Sequence, residues 1–296
     1  MKMNRLKLKE PYFLLAPSFV LLFIFLIYPL LSSFLYAFQS YKLTAPNDIA
    51  FIGVDNFKAV FQDSNFGMVL RNSFVWVVLT VGGQFIFGFI LALALRRPFP
   101  GRNFYQAIVF LPWAVSSFVV GLTFRWLLNA EYGPVNDLLL KWGIIEDKIY
   151  FLSDPKLALF TVILTMTWYG IPFFAIMLLA AMQSIPEDLY EAADIDGAGM
   201  WSKFWHITFS YIKQTIVLTL LLRTIWVFSA ADLIYIMTAG GPANSSNILS
   251  SYMFMKAYST LDYGQASAIG LFFMALLILF CFLFMKATKF EKAGNF

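Results

Sequence analysis

From Tyr12 to Phe38 the chain runs for 27 residues without a charged side chain. A helix of that length rises about 40 Å, more than the roughly 30 Å of a bilayer's hydrocarbon core. Comparable apolar stretches recur at 70–95, 105–128, 157–182, 211–237 and 263–285. Lipid offers backbone N–H and C=O groups no partners, so runs of this length must fold as helices. Composition agrees: 13% of the 296 residues are charged, against about 25% in soluble domains, too few to cover a globule in water. The opening, with Lys2, Arg5, Lys7 and Lys9 ahead of the first run, has the outline of a signal peptide. Its apolar stretch far exceeds the roughly 7–15 residues of such a signal, so we read it as a retained first helix. Pro17 and Pro29 are tolerable there if neighbours satisfy the freed carbonyls, whereas Pro112 is read as breaking the third run and Gly170 with Pro172 as interrupting the fourth.

The expectation is therefore an all-α membrane protein, a single domain over 1–296 with six transmembrane helices. The connections orient it. Of the 21 Lys and Arg residues, 12 fall in or beside the N-terminus, the second and fourth loops and the C-terminus, and seven in the first, third and fifth loops. Cytoplasmic segments hold the excess of positive charge, which places both termini and the loop 184–209 in the cytoplasm. Within the first loop, Asp55 is expected to cap a short surface helix with Phe57, Val60 and Phe61 on one face. Gly82, Gly83 and Gly88 in the second run permit close helix approach. One cysteine, Cys281, and one histidine, His206, cannot build a disulfide framework and argue against a transition-metal site. No cofactor or metal is expected, and a net charge of +4 does not point to nucleic acid.

The loop 184–209 is the most polar piece of the second half. Ser184-Ile185-Pro186-Glu187 has the spacing of a capping box, predicting a helix from Ile185 to Asp196 that stops at Gly197 in the left-handed conformation. A second short helix follows near Trp201, with Trp201, Phe204, Trp205 and Thr208 as one stripe at the inner membrane interface. Asp194 and Asp196 stand at the C-terminal end of the first helix, where the macrodipole disfavours each by roughly 0.3–1 kcal/mol. That placement points to pairing with a partner's cations. A solvated acidic loop is the plain alternative.

Within the runs, ionisable residues are few. Arg223 lies about 18 Å into the fifth helix, a depth at which a cation is a functional candidate by default. The competing role is a structural bond to a carboxylate or carbonyl of another helix. Asp232, nine residues on, is about half a turn out of phase with it along one helix. Arg125 is placed to snorkel to the outer interface. Trp113, Trp168, Tyr169, Trp226 and Tyr235 offer flat faces on which a solute can stack, or serve as packing and interfacial anchors.

Glu191-Ala192-Ala193, three residues, Gly197, nine residues and Ile207 have the spacing of the EAA motif of binding-protein-dependent ABC importer permeases. Phe110-Leu111-Pro112-Trp113-Ala114, Gly121 with Phe124-Arg125-Trp126-Leu127, Ser184–Tyr190, and Asp232-Leu233-Ile234-Tyr235 before Gly240-Gly241-Pro242 also resemble the carbohydrate-importing branch. The resemblance spans nearly the whole chain. It implies a second permease subunit, two cytoplasmic ATPases and an extracytoplasmic solute-binding protein, in the inner membrane of a prokaryote. It further implies a coupling helix between helices 4 and 5, built on Glu191, Ala192, Ala193, Asp194, Asp196, Gly197 and Ile207, that docks in an ATPase cleft. Gly240, Gly241 and Pro242, on the outer side, would reach toward the binding protein. One departure stands out: Phe209-Ser210 replaces the family's usual Leu-Pro.

No glycine-rich phosphate loop ending in Lys-Ser/Thr is present, so ATP hydrolysis would belong to another chain. A secondary transporter or channel would carry polar relays or internal repeats in its spans. An intramembrane enzyme would need a clustered acid/base set. The resemblance implies that the solute is an oligosaccharide, a monosaccharide or a polyol phosphate such as glycerol 3-phosphate, and the sequence does not choose among them.

Overall fold

A computed structural model describes Glu10–Thr288, which is helical throughout; among the described residues there are two isolated β-bridges and no strand. The basic residues Lys2, Arg5, Lys7, Lys9, Lys289 and Lys292 lie outside the described residues. In chain order the helices are α1 (Glu10–Leu22), α2 (Tyr28–Tyr36), α3 (Asp55–Gln62), α4 (Phe66–Arg96), α5 (Arg102–Ala114), α6 (Ser117–Leu127) and α7 (Pro134–Lys141). Then come α8 (Ala158–Gln183), α9 (Asp188–Ile195), α10 (Met200–Lys203), α11 (Ser210–Ser229), α12 (Asp232–Thr238), α13 (Leu249–Tyr258) and α14 (Tyr263–Thr288). Five continuous helical stretches are long and apolar enough to span a bilayer: Leu14–Tyr36, Phe66–Arg96, Ala158–Gln183, Met200–Ser229 and Tyr263–Thr288.

The third span breaks as the Pro112 reading predicts, whereas the interruption expected at Gly170 and Pro172 is absent and α8 runs unbroken through both. The apolar residues of the third span form α5 and α6, which meet at 93°. Pro112 removes a backbone donor near the end of α5, and Ser116 restarts the helix by accepting the Phe118 N–H on its hydroxyl at 3.3 Å. The fifth run also breaks. α11 ends at Ser229, and Asp232 opens α12 in the first turn, where the helix dipole favours a carboxylate. Arg223 and Asp232 are thus on separate helices, and a phase angle between them along one helix has no meaning. The first run remains continuous through a π-helical stretch, Phe23–Ile27, just before Pro29. The wider turn accommodates a residue that cannot donate and whose ring crowds the carbonyl four residues back.

The chain divides into two compact units. The first holds residues up to Asp63 with Met253–Met274. In it Asn56 donates to the carbonyls of Ala37 and Gln39 at 2.9 and 2.8 Å, and Lys256 pairs with Asp63 at 3.2 Å. Asp55 does not cap α3. The residue before the helix is Val54, and the Asp55 carboxylate lies in the first turn, paired with Lys58 at 2.8 Å. Of the predicted apolar face Val60 is buried, whereas Phe61 is half exposed and meets Phe272 edge to face.

The second unit holds Ser64–Tyr252 with the residues from Ala275 on. Its axis is α8, which α4 follows along its length. Gly88 sets that approach. A Cβ there would press on Phe174 Cβ and lie 2.9 Å from the Ile171 carbonyl oxygen, so only hydrogen fits. Gly83 meets Thr167 in the same way, while Gly82 faces open space. Trp76 fills the seam between α4 and α11, fully buried, with its indole N–H on the Val227 carbonyl at 2.8 Å. α12 lies against α6, where Gly121 admits Leu233 and Ile236.

Candidate functional site

The segment between α8 and α11 is the chain's distinctive polar element. Ser184 does not cap α9. It closes α8, its hydroxyl turned back onto the Ala181 carbonyl at 2.8 Å, so α9 starts three residues later than the capping box predicts, at Asp188. The end is as expected. Gly197 sits at φ 74°; its N–H bonds the Asp194 carbonyl at 3.1 Å, and the Ala198 N–H reaches the Ala193 carbonyl at 2.8 Å. Together these bonds satisfy two of the orphan carbonyls of the last turn, and they require a left-handed residue at 197.

Two clamps hold α9 to the rest of the unit, and both lie on one stripe. Tyr190 bonds the hydroxyl of buried Thr208 at 2.8 Å, and the Arg96 guanidinium lies 4.4 Å from the Tyr190 ring centre with one nitrogen 3.4 Å from the same threonine. One turn on, Asp194 pairs with Lys203 at 2.5 Å. Within this chain Asp194 has a cation beside it in Lys203, and its side chain remains largely exposed. The adjacent stripe is bare: Glu191, Ala192 and Asp196 are exposed, Gly197 is open, and Ile195 is 88% exposed. Ala193 is half-buried between the stripes, as is Ile207. Sequence reasoning named Tyr190 and Thr208 but not the bond between them, and it assigned no role here to Arg96 or Ile195. A hydroxyl pair separated by a helix break leaves no periodic signal.

Where the family's Leu-Pro is replaced, the helix does not restart. Met200–Lys203 passes through a π-helical stretch, Phe204–Phe209, straight into α11. Ser210 supplies the backbone N–H that a proline would lack, which lets the segment stay continuous. Trp201 and Trp205 are exposed along the predicted stripe, but Thr208 is buried.

The residues proposed for a solute path form one cluster and three separate contacts. Phe173, unremarked in the sequence, has Trp113 at 5.9 Å on one side and Trp226 at 5.4 Å on another, with the Arg223 guanidinium 5.5 Å from its ring centre. Trp113 and Trp226 are 41% and 48% exposed, so their outer faces are open. Arg223 is buried; its Nε donates to Gln84 Oε1 at 2.7 Å, and Gln84 Nε2 donates to the Met166 carbonyl at 2.6 Å. The bond to a neighbouring helix is thus made, to a side-chain amide. One terminal nitrogen of Arg223 has no partner among the described residues, nor has the Thr80 hydroxyl. Gly170 leaves the room in which the guanidinium and the amide lie. Gln84 was legible as a lone amide in an apolar run. Elsewhere Trp168 stacks on Phe124, the Tyr169 hydroxyl donates to the Val115 carbonyl at 3.2 Å, and Ser117 donates to Asp232. Tyr235 is exposed on α12, and Arg125 donates to the Ile236 carbonyl at 3.1 Å.

Gly240-Gly241-Pro242 opens a tightly bonded loop. Ser246 and Asn247 are buried; Ser246 donates to the Gly241 carbonyl at 2.7 Å and shares a bond with Thr238 at 2.8 Å. The Asn72 amide on α4 holds the carbonyls of Ser245 and Asn247 at 2.9 and 3.2 Å, and the Ser73 hydroxyl accepts the Leu249 N–H at 2.8 Å.

Comparison with known proteins is consistent with these features. Residues 84–289 match the family described as the binding-protein-dependent transport system inner membrane component. The chain is 36% identical over 278 residues to a sulfoquinovosyl glycerol transport system permease protein of Agrobacterium fabrum, covering 93% of this chain and 90% of that one. It is 31% identical over 292 residues to a trehalose/maltose transport system permease protein of Thermococcus litoralis, covering 98% of each. A chain of a bacterial ABC transporter involved in the import of the acidic polysaccharide alginate superposes with a TM-score of 0.84 at 26% identity, over 97% of this chain and 99% of that one. A second alginate transporter, in complex with an alginate pentasaccharide-bound periplasmic protein, superposes with a TM-score of 0.81 at 26% identity, over 95% and 94%. The chain belongs to the inner-membrane components of binding-protein-dependent transport systems.

Proposed function

We propose that the chain is a translocation subunit of an ATP-driven importer of a sugar or oligosaccharide, acting as one permease domain and hydrolysing no ATP itself. The observation that carries this reading is α9, clamped along Tyr190 and Asp194 and bare along Glu191 and Ile195. A short helix fixed on one side and open on the other is what a helix-in-groove contact with a cytoplasmic ATPase requires. Glu191 offers such a partner a charge-assisted bond, Ala192 allows close approach, and Gly197 sets the turn. ATPase closure would then move α9 as a rigid body, with α8 and α11 following. Both termini and this loop face the cytoplasm in this reading. A companion permease and two ATPases complete the assembly, and an extracytoplasmic binding protein delivers solute near Gly240–Pro242.

The solute class comes from the named relatives, which transport sulfoquinovosyl glycerol, trehalose or maltose, and alginate. The open faces of Trp113 and Trp226 beside Arg223 suit a sugar ring that carries polar substituents. Trp168, Tyr169, Asp232 and Tyr235 would line the path farther out. The test is substitution of the bare stripe and its stop. Glu191→Lys reverses a charge at an exposed site, and Gly197→Pro forces φ to about −65° where the chain holds +74°. Both are expected to leave the subunit in the membrane while abolishing ATPase copurification and solute uptake. Retention of both activities in either variant would sink the docking role.

A further inference from the structure

On the same end of the second unit, between the last turn of α4 and the α9–α10 segment, is a cavity of about 860 Å3 that the coupling role does not use. Its lining is of two kinds. Leu93 and Ala94 from the end of a membrane span, and Trp201 and Phe204 from the interfacial stripe, form an apolar wall. Arg96, Arg97 and Lys203, from the same two segments, bring positive charge. Lys203 is answered by Asp194. Arg96 is fixed by the Tyr190 ring and the Thr208 hydroxyl, neither of which neutralises it, and Arg97 is exposed. Neither arginine has an ion-pair partner among the described residues. One carboxylate, Glu187, stands in the lining.

We propose that this cavity binds the head group of an anionic phosphoglycerol lipid from the cytoplasmic leaflet, a site that rests on the orientation given above. Two unanswered guanidinium groups match one phosphate, which arginine engages through its planar fork. Glu187 disfavours a second negative charge and accepts a hydrogen bond from a glycerol hydroxyl. The apolar wall continues the hydrocarbon boundary, with Trp201 at the level where tryptophan sits in membranes. A soluble anion would use the arginines and leave that wall unoccupied. Basic pockets beside spans on the cytoplasmic side are recurrent sites for such head groups.

The test uses the assembled transporter, purified in neutral detergent and supplied with phosphatidylglycerol, phosphatidylcholine or inorganic phosphate, with retained lipid read by native mass spectrometry. Phosphatidylglycerol is expected to be retained over phosphatidylcholine and not to be displaced by millimolar phosphate. Arg96→Gln with Arg97→Gln is expected to reduce that preference roughly tenfold, and Arg97→Lys, which keeps the charge but not the fork, to reduce it less. Should the double variant fail to assemble, Arg97→Gln alone decides, since the residue is exposed; a preference unchanged in it counts against the site. Equal retention of the two lipids overturns the proposal, as does displacement by phosphate, which would mark a soluble-anion site. Loss of the lipid whenever the ATPase is present would assign the cavity to the ATPase and likewise overturns it. Lipid retention does not require transport, so a transporter that imports solute but ignores phosphatidylglycerol refutes this site and leaves the importer reading intact.

Discussion

The segments on either side of the α11–α12 pair are both polar and both lie outside the apolar runs, yet they are built in opposite ways. The loop after α12 folds its polar groups inward. Ser246 and Asn247 are buried, bonds link Thr238, Gly241 and Ser246 and tie Asn247 to Asn244, and α4 supplies Asn72 and Ser73 as anchors. The segment before α11 turns its polar groups outward and keeps only the Tyr190 and Asp194 clamps. A segment that satisfies itself has its conformation set before any partner arrives. One that leaves a stripe bare has reserved it. In the importer proposed above, the first arrangement suits a fixed surface for the binding protein, and the second a lever for the ATPase.

The strongest way to break this contrast is at Asn72. Its amide is the donor for two loop carbonyls, those of Ser245 and Asn247. Asn72→Ala leaves both without that partner in a buried setting, at a cost of about 2 kcal/mol. Thermal unfolding of the purified complex is expected to show a clearly lowered midpoint. A midpoint equal to wild type would mean that the loop after α12 is not held from α4, and the contrast with α9 would lose its physical basis.

Tyr190 sharpens the other side. Tyr190→Phe removes one bond to Thr208 but keeps the ring under Arg96, so about 1 kcal/mol is at stake locally. Amide hydrogen exchange is expected to rise in 188–199 with the global midpoint nearly unchanged. If the whole unit loosened instead, α9 would be a structural part of the bundle and not an appended lever.

How much of this was legible without coordinates follows from what each feature depends on. The long apolar runs were legible because length and lipid leave one backbone solution. The stop at Gly197 was legible because a left-handed turn selects glycine. The bend between α5 and α6 was legible as a break at Pro112, though not its angle. The same reasoning failed at Gly170 and Pro172, which α8 passes through unbroken, because a proline alone does not tell a kinked end from a tolerated site. The capping box failed because Ser184 stays in helical geometry as the end of α8 and turns its hydroxyl back to donate to the Ala181 carbonyl, away from the first N–H groups of α9. The cluster on Phe173 was half visible: Trp113, Trp226 and Arg223 stood out as rare or polar residues, whereas one more phenylalanine among 34 carries no mark. Clamps such as Tyr190 to Thr208 depend on where two helices end up, which no local pattern records.

The smallest effect belongs to the second clamp, and it separates the two designs most finely. Asp194 is 63% exposed and Lys203 23%, so water and salt screen their attraction. Lys203→Ala is therefore expected to change global stability by less than roughly 0.5 kcal/mol, within the range of exposed pairs. Its consequence should be local and salt-dependent. In wild type, raising ionic strength is expected to speed exchange at the C-terminal turn of α9, and in Lys203→Ala that dependence should vanish while the Tyr190 clamp still holds the first turn. A variant that kept the full salt dependence would show that Asp194 is held by something other than Lys203. A variant that released the whole of α9 would show that the two clamps act as one, which a helix meant to transmit force as a rigid lever would require.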